Sequence, residues 1–282
     1  MTSKKLSKRD LRKVFLPLAQ KEKLHNKSRP SNLTMKQFDN HPYFKNIIKH
    51  AIIPIWEENR KSKKEGKEFF LNDELKYHGF VFEYSGAFYE GLKRLNDIPL
   101  FTLKGFSPRW LNNMKIAQQE WAIYNYANYR VVATGIYDTA LLITNDVLEL
   151  GKKPEKVYRN FIDNPEIAEN QLLEPLQKIE ELIAKYRDER NLYVHRSTRP
   201  EIDFVNNLYA YQTLKEAKEK GLYKKEIPSP KIAQKYYEAE LNKKVDEMQE
   251  ETEGIFSAVI AFLDVLNPLY EKKIEFYKGK IL

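Results

Sequence analysis

The residues best suited to chemistry are concentrated in one short segment, 186–196, which holds three arginines and one histidine. Near neutral pH, an imidazole such as that of His195 can take a proton from a ribose 2′-hydroxyl or give one to a departing 5′-oxygen. The forked positive charge of Arg190 can bind a phosphate and stabilise the negative charge that grows there during reaction. The amide of Asn191 can orient the phosphate or the imidazole. These residue types predict cleavage of a phosphodiester bond beside a ribose, with the three side chains as the catalytic set.

Three further side chains near this set are the candidate substrate contacts. Arg196 and Arg199 flank His195, and no arginine occurs after position 199. Tyr193 lies between Asn191 and His195 in the sequence. We expect all three of these side chains to contact the RNA.

The spacing of the motif limits how its side chains can meet. On one helix, Asn191 and His195 are four positions apart and share a face, whereas Arg190 and His195 diverge by roughly 140°. Arg190 and His195 can therefore converge only if the helix ends near Arg190 or if the two side chains come from two chains. The segment Thr198-Arg199-Pro200 predicts that the helix ends soon after the motif.

The helical elements that must position the motif begin with a clear signal. Ser107 is a good N-cap and Pro108 a good first helical residue. A helical period of apolar residues then continues to Gly151, as one very long helix or as two joined near Gly135. Asp138 lies on this otherwise apolar stretch, where it is either satisfied within the protein or lines a cleft.

The remaining elements follow the same period. We expect a short helix over 154–163, a helix from Glu166 or Pro175 to about Arg187, a helix-and-loop segment over 200–230, and a final long helix over 232–277 that Pro268 bends. Counted from Ser107, three long helices and one short one predict a four-helix up-down bundle.

The segment Arg190-Asn191-Leu-Tyr-Val-His195 resembles the signature of HEPN domains, which is an arginine, a polar residue that is often asparagine, and a histidine after four to six intervening positions. In that superfamily the motif lies late in a bundle of four or five helices, before a last long helix. The resemblance implies an all-α, HEPN-like up-down helical bundle, here with a mainly helical N-terminal extension.

The resemblance also implies a function. It implies a homodimer in which two motifs face each other across a cleft and cleave RNA without a metal or another cofactor, leaving a 2′,3′-cyclic phosphate. Arg190 would bind and stabilise the phosphate, Asn191 would orient it, and His195 would be the acid or base. Toxin–antitoxin, antiphage and RNA-processing roles are common, so an antitoxin or regulatory partner is expected. Several HEPN toxins carry a tyrosine two positions after the histidine, where this chain has Ser197, which argues against close kinship with that branch.

The first hundred residues divide into two parts. Residues 1–30 form a basic arm that carries the whole net charge of +8 of the chain, and such an arm can hold nucleic-acid phosphates or an anionic membrane surface, or can simply be a solvated terminus. Residues 31–106 are of uncertain structure. A helix is predicted over 42–63, with a kink at Pro54.

Two alternatives stay open for residues 68–106. The segments Phe80–Tyr84 and Leu100–Leu103 are typical of two short strands, whereas Phe82–Leu95 also fits a helix. The domain prediction is therefore a basic arm (1–30), an unassigned region (31–106) and a helical bundle (107–282).

Composition excludes several classes of site. The chain has no cysteine, so disulfides, a thiol nucleophile and cysteine-ligated metal sites are excluded. The other four histidines are scattered, without the spacing of a metal site. No apolar run is expected to span a bilayer, because the best candidate, 131–150, contains Asp138, Asn145 and Asp146. We therefore expect a cytoplasmic protein that is not bound to a membrane.

Other functions fit the same sequence. A non-catalytic helical dimer could bind RNA, a nucleotide or a protein partner through the same basic motif, and a structural coiled-coil assembly would need no site at all. Aromatic side chains at Trp121, Tyr124, Tyr126 and Tyr129 could stack on bases or pack in the core or a dimer interface.

Overall fold

The computed structural model describes residues 35–104, 118–157, 159–196 and 202–279. In these ranges the regular structure is entirely helical, which confirms the all-α prediction. The basic arm, the helix start at Ser107, and Arg199 lie outside the described residues. The α-helices are α1 (Met35–Asn40), α2 (Pro42–Ile47), α3 (Ile53–Glu65), α4 (Asp73–Lys104), α5 (Gln118–Leu148), α6 (Pro165–Glu169), α7 (Leu173–Arg196), α8 (Asp203–Glu219) and α9 (Pro230–Gly279).

Four long helices form the bundle that carries the motif. Helix α4 packs against α5, α5 against α7, α7 against α9, and α9 back against α4, which closes a ring of four. The prediction counted the bundle from Ser107 onward, and the structure adds α4 before that point. The expected helix-and-loop segment contains α8, and the expected short helix over 154–163 consists of two 3-10 turns (Pro154–Lys156 and Arg159–Asp163).

The core of the bundle follows from the helical period of its apolar residues. On α5 the buried positions Tyr129, Ala133, Ile136 and Ala140 recur every three or four residues, and the helix continues through Gly135 without a break. The hydroxyl of Tyr129 donates to the carbonyl oxygen of Met248 on α9 at 3.0 Å. A buried polar group needs such a partner, so this bond lets a large aromatic side chain fill the centre of the bundle.

Helix α4 occupies the region for which strands and a helix were both considered. Both candidate strands lie within this single helix, so the helical alternative is the correct one. Tyr77, Val81, Phe88, Leu92 and Leu95 are buried at helical spacing and form the face that packs on α5 and α9. The apolar alternation that resembled a strand arises because exposed aromatic residues flank Val81 on both sides.

The N-terminal extension lies across α4 and α9. Between α2 and α3 the chain makes a π-helical turn at Ile48–Ile52, directly before Pro54. Proline lacks the backbone N–H that a regular helix needs and its ring crowds the preceding turn, so an irregular turn is expected there. The predicted interruption at Pro54 therefore takes the form of this π turn.

Two described helices, α5 and α9, are long and apolar enough to cross a membrane by length and composition. The expectation that no apolar run spans a bilayer stays a prediction. In the structure, 56% and 50% of their most apolar windows are buried within the bundle, as expected for core helices. The cytoplasmic location stays a prediction.

Candidate functional site

The motif lies on an unbroken helix. Helix α7 continues from Leu173 to Arg196, well past Arg187, where the sequence predicted its end. Five helical positions separate Arg190 from His195, which corresponds to a rotation of roughly 140° and a rise of about 7.5 Å. The two side chains therefore point away from each other in one protomer, and the alternative of a helix ending near Arg190 is excluded.

Asn191 and His195 share a solvent-exposed concave surface. Together with Asp188 and Leu192 they line a cavity of about 480 Å³, and all four residues are exposed. Asn191, Leu192 and His195 follow Asp188 by three, four and seven positions, which places all four along one stripe of α7. The structure thus brings together two of the three predicted catalytic residues, and a substrate can reach both.

Tyr193 does not belong to this cavity. It is half-buried, and its two-position offset from both Asn191 and His195 turns it toward another face of the helix. The side chain of Arg196 and the whole of Arg199 lie outside the described residues. The substrate-binding role of these three residues stays a prediction.

Arg190 is half-buried. Its Nη1 atom donates to the Oδ1 atom of Asn191 at 3.3 Å, and its buried Nε atom has no hydrogen-bond partner among the described residues. One turn earlier, the guanidinium of Arg187 lies 5.2 Å above the ring of Tyr137 and 3.6 Å from a carboxylate oxygen of Glu180. Two arginines are thus aligned at the surface between α5 and α7.

Asp138 of α5 faces these two arginines. Burial raises the pKa of its carboxyl group above the usual range, and the positive charges of Arg187 and Arg190 act in the opposite direction. The sequence left open whether Asp138 is satisfied within the bundle or lines a cleft, and the structure places it within electrostatic reach of the motif.

An ion pair between Arg130 and Glu189 anchors the residue that precedes Arg190. Arg130 is only 6% exposed. Its guanidinium contacts the carboxylate of Glu189, donates to the hydroxyl of Tyr126, and lies 3.9 Å above the ring of Tyr126. Lys244 of α9 also lies over this ring, at 4.9 Å. Sequence reasoning missed this pair, although a single arginine inside an apolar helix signals a buried charge that needs a partner.

Two of the three other described histidines have clear partners within the fold. His41 caps α2 by accepting from the backbone N–H of Tyr43 at 3.2 Å, and lies 3.1 Å from Asp264. His78 is fully buried, and its Nδ1 atom lies 2.9 Å from the hydroxyl of Tyr270. Burial lowers the pKa of His78 to about 4, because a charged imidazole would lose its hydration there. These contacts explain both residues as parts of the fold.

One of three comparisons with known proteins found a match. The family model HEPN_Cthe2314-like HEPN matches residues 84–265, a range that extends from the middle of α4 into α9 and includes the motif. No curated protein and no solved structure matches the chain. The family match covers more than half of the chain, and the chain therefore belongs to the HEPN_Cthe2314-like family of the HEPN superfamily.

Proposed function

We propose that this protein is a metal-independent endoribonuclease whose site is formed by two protomers. The observation that carries the proposal is the unbroken course of α7 through the motif. Because Arg190 and His195 point to different sides of that helix, a site that uses both must combine two copies of the chain. A C2 axis beside α7 would bring together two cavities that each hold Asn191 and His195.

The reaction follows from the chemistry of these groups. His195 of one protomer takes the proton of a ribose 2′-hydroxyl, and the 2′-oxygen attacks the adjacent phosphorus. The bond to the 5′-oxygen breaks, and that oxygen takes a proton from His195 of the partner subunit. The products are a 2′,3′-cyclic phosphate and a free 5′-hydroxyl. Arg190 stabilises the charge on the phosphate oxygens, and Asn191 orients the phosphate.

The surface around the cavity suits a second copy of the chain. Leu192, which lines the cavity, is 40% exposed although its side chain is aliphatic. A second copy seated over the cavity would cover Leu192 and remove its apolar surface from water. A toxin, antiphage or stress-response role, with an antitoxin or other regulatory partner, and a cytoplasmic location belong to this proposal as its biological setting.

The test is cleavage of RNA by the purified protein in excess chelator. Wild type should produce fragments that end in 2′,3′-cyclic phosphate, and His195→Ala should lose this activity while it stays folded and dimeric. His50→Ala is the matched control, because it removes an imidazole from the π turn outside the motif, and it should cleave like wild type. A folded dimer that binds RNA but never cleaves it would contradict the proposal and support a non-catalytic RNA-binding dimer.

A further inference from the structure

One stripe of α5 is half-buried at two positions and exposed at the third. Asp138, Val131 and Tyr124 are spaced by seven positions, which places them on nearly the same side of the helix. The end of this stripe at Asp138 lies within electrostatic reach of Arg187 and Arg190 on α7. The Asp138 end of the stripe therefore lies toward α7.

Two contacts fix the relative direction and height of these helices. Tyr137 of α5 donates to Glu180 of α7 at 3.3 Å. Arg130, seven positions before Tyr137 on α5, pairs with Glu189, nine positions after Glu180 on α7. The two helices are therefore antiparallel. Tyr124 lies six positions before Arg130 on α5, and His195 lies six positions after Glu189 on α7. Because the helices are antiparallel, both residues are about 9 Å from the ion pair in the same direction. Tyr124 and His195 are thus at the same height of the bundle.

Tyr124 is exposed but held in place. It is 57% exposed, and its ring stacks on that of Trp121 with centroids 6.4 Å apart and planes at 27°. The indole N–H of Trp121 donates to the carbonyl oxygen of Phe101 at 3.1 Å, which fixes the indole against the end of α4. The outer face of the tyrosine ring is a supported, flat surface open to solvent. This exposure shows that Tyr124 does not pack in the core of the bundle.

We infer that Tyr124 is a stacking platform for an unpaired nucleobase of RNA beside the scissile phosphate. The inference rests on the proposed function and narrows its substrate to single-stranded RNA, because a base within a duplex has no free face. Aromatic side chains beside a cationic backbone-binding surface are the common way in which proteins bind single strands. Here the cation is Arg190, and the ring is level with His195.

The experiment measures binding to a labelled 2′-O-methyl oligoribonucleotide, which cannot be cleaved because it lacks the attacking hydroxyl. Tyr124→Ala should weaken binding to the single strand by about fivefold or more. Tyr124→Phe should bind like wild type, because it keeps the ring. Phe80→Ala is the matched control, an aromatic residue 62% exposed on α4, and should not change the affinity. A blunt RNA duplex should bind equally to all four proteins.

Equal single-strand affinity of wild type and Tyr124→Ala would overturn the inference. Sedimentation of each variant provides a second criterion. If Tyr124→Ala becomes monomeric, Tyr124 is a dimer contact and the stacking role is wrong. Because the oligonucleotide cannot be cleaved, the binding result is independent of the cleavage assay in chelator. An absence of cleavage in that assay would refute the proposed nuclease activity but would not change the binding result.

Discussion

The Arg130–Glu189 pair, in which only the arginine is buried, predicts an unequal loss of stability when one or the other partner is removed. Arg130 is 6% exposed as a residue, whereas the side chain of Glu189 is 44% exposed. Glu189→Gln leaves the buried guanidinium without its counter-ion. Removing one partner of a buried pair costs about 3–5 kcal/mol, because the remaining charge is buried and uncompensated. Tyr126 still contacts the guanidinium, so we expect a cost of about 2–3 kcal/mol.

The reverse substitution should be milder. Arg130→Met removes the buried charge, keeps an unbranched side chain of similar length, and leaves Glu189 at the surface where water can solvate it. We expect a loss of about 1 kcal/mol or less. The double variant Arg130→Met with Glu189→Gln should resemble Arg130→Met alone, because the stranded charge is then absent.

Urea denaturation followed by circular dichroism measures these free energies of unfolding, with a constant m-value as the check that only stability has changed. Glu181→Gln is the matched control on the same helix, since Glu181 pairs with Lys178 at 3.1 Å and both side chains are more than 60% exposed. An exposed pair of this kind contributes about 0–1 kcal/mol. If Glu189→Gln costs no more than Arg130→Met, the guanidinium is hydrated and the reasoning is refuted.

Three other properties can be tested in the same protein. Burial lowers the pKa of His78 in the folded protein to about 4, whereas the imidazole of the unfolded chain binds a proton near pH 6.5. The wild type should therefore lose about 2–3 kcal/mol of stability through His78 when the pH falls from 7 to 4.5. Urea titrations at both pH values should show a smaller loss for His78→Gln. Tyr129→Phe removes the bond to Met248 and should cost about 1 kcal/mol in the same assay; an unchanged midpoint would contradict this role. Arg190→Lys keeps the positive charge but loses the forked guanidinium that can bind two phosphate oxygens. Single-turnover cleavage should therefore slow by about 10²-fold, with little change in RNA affinity. Equal cleavage rates would show that Arg190 does not stabilise the transition state.

Local patterns were sufficient for the fold class and for the motif. The helical period and the N-cap and proline signals are properties of neighbouring residues, and they predicted a helical bundle. The motif is likewise a short run, Arg190 to His195. Helical geometry applied to that run predicted that Asn191 and His195 share a face, and both line the same cavity in the structure.

Contacts between residues far apart in the chain decided the rest. Residues 80–84 alternate in a way that fits a strand, and only packing against α5 and α9 shows that the segment is helical. Helix α7 continues past Arg190 to Arg196, and its Glu189 contacts Arg130, which is 59 positions away in the sequence. Exposure is also a tertiary property: Tyr124 and Tyr129 have the same side chain, but one is open to solvent and the other is buried. The sequence alone determined which groups could do chemistry, and the packing of α5 against α7 decided which of them a substrate can reach.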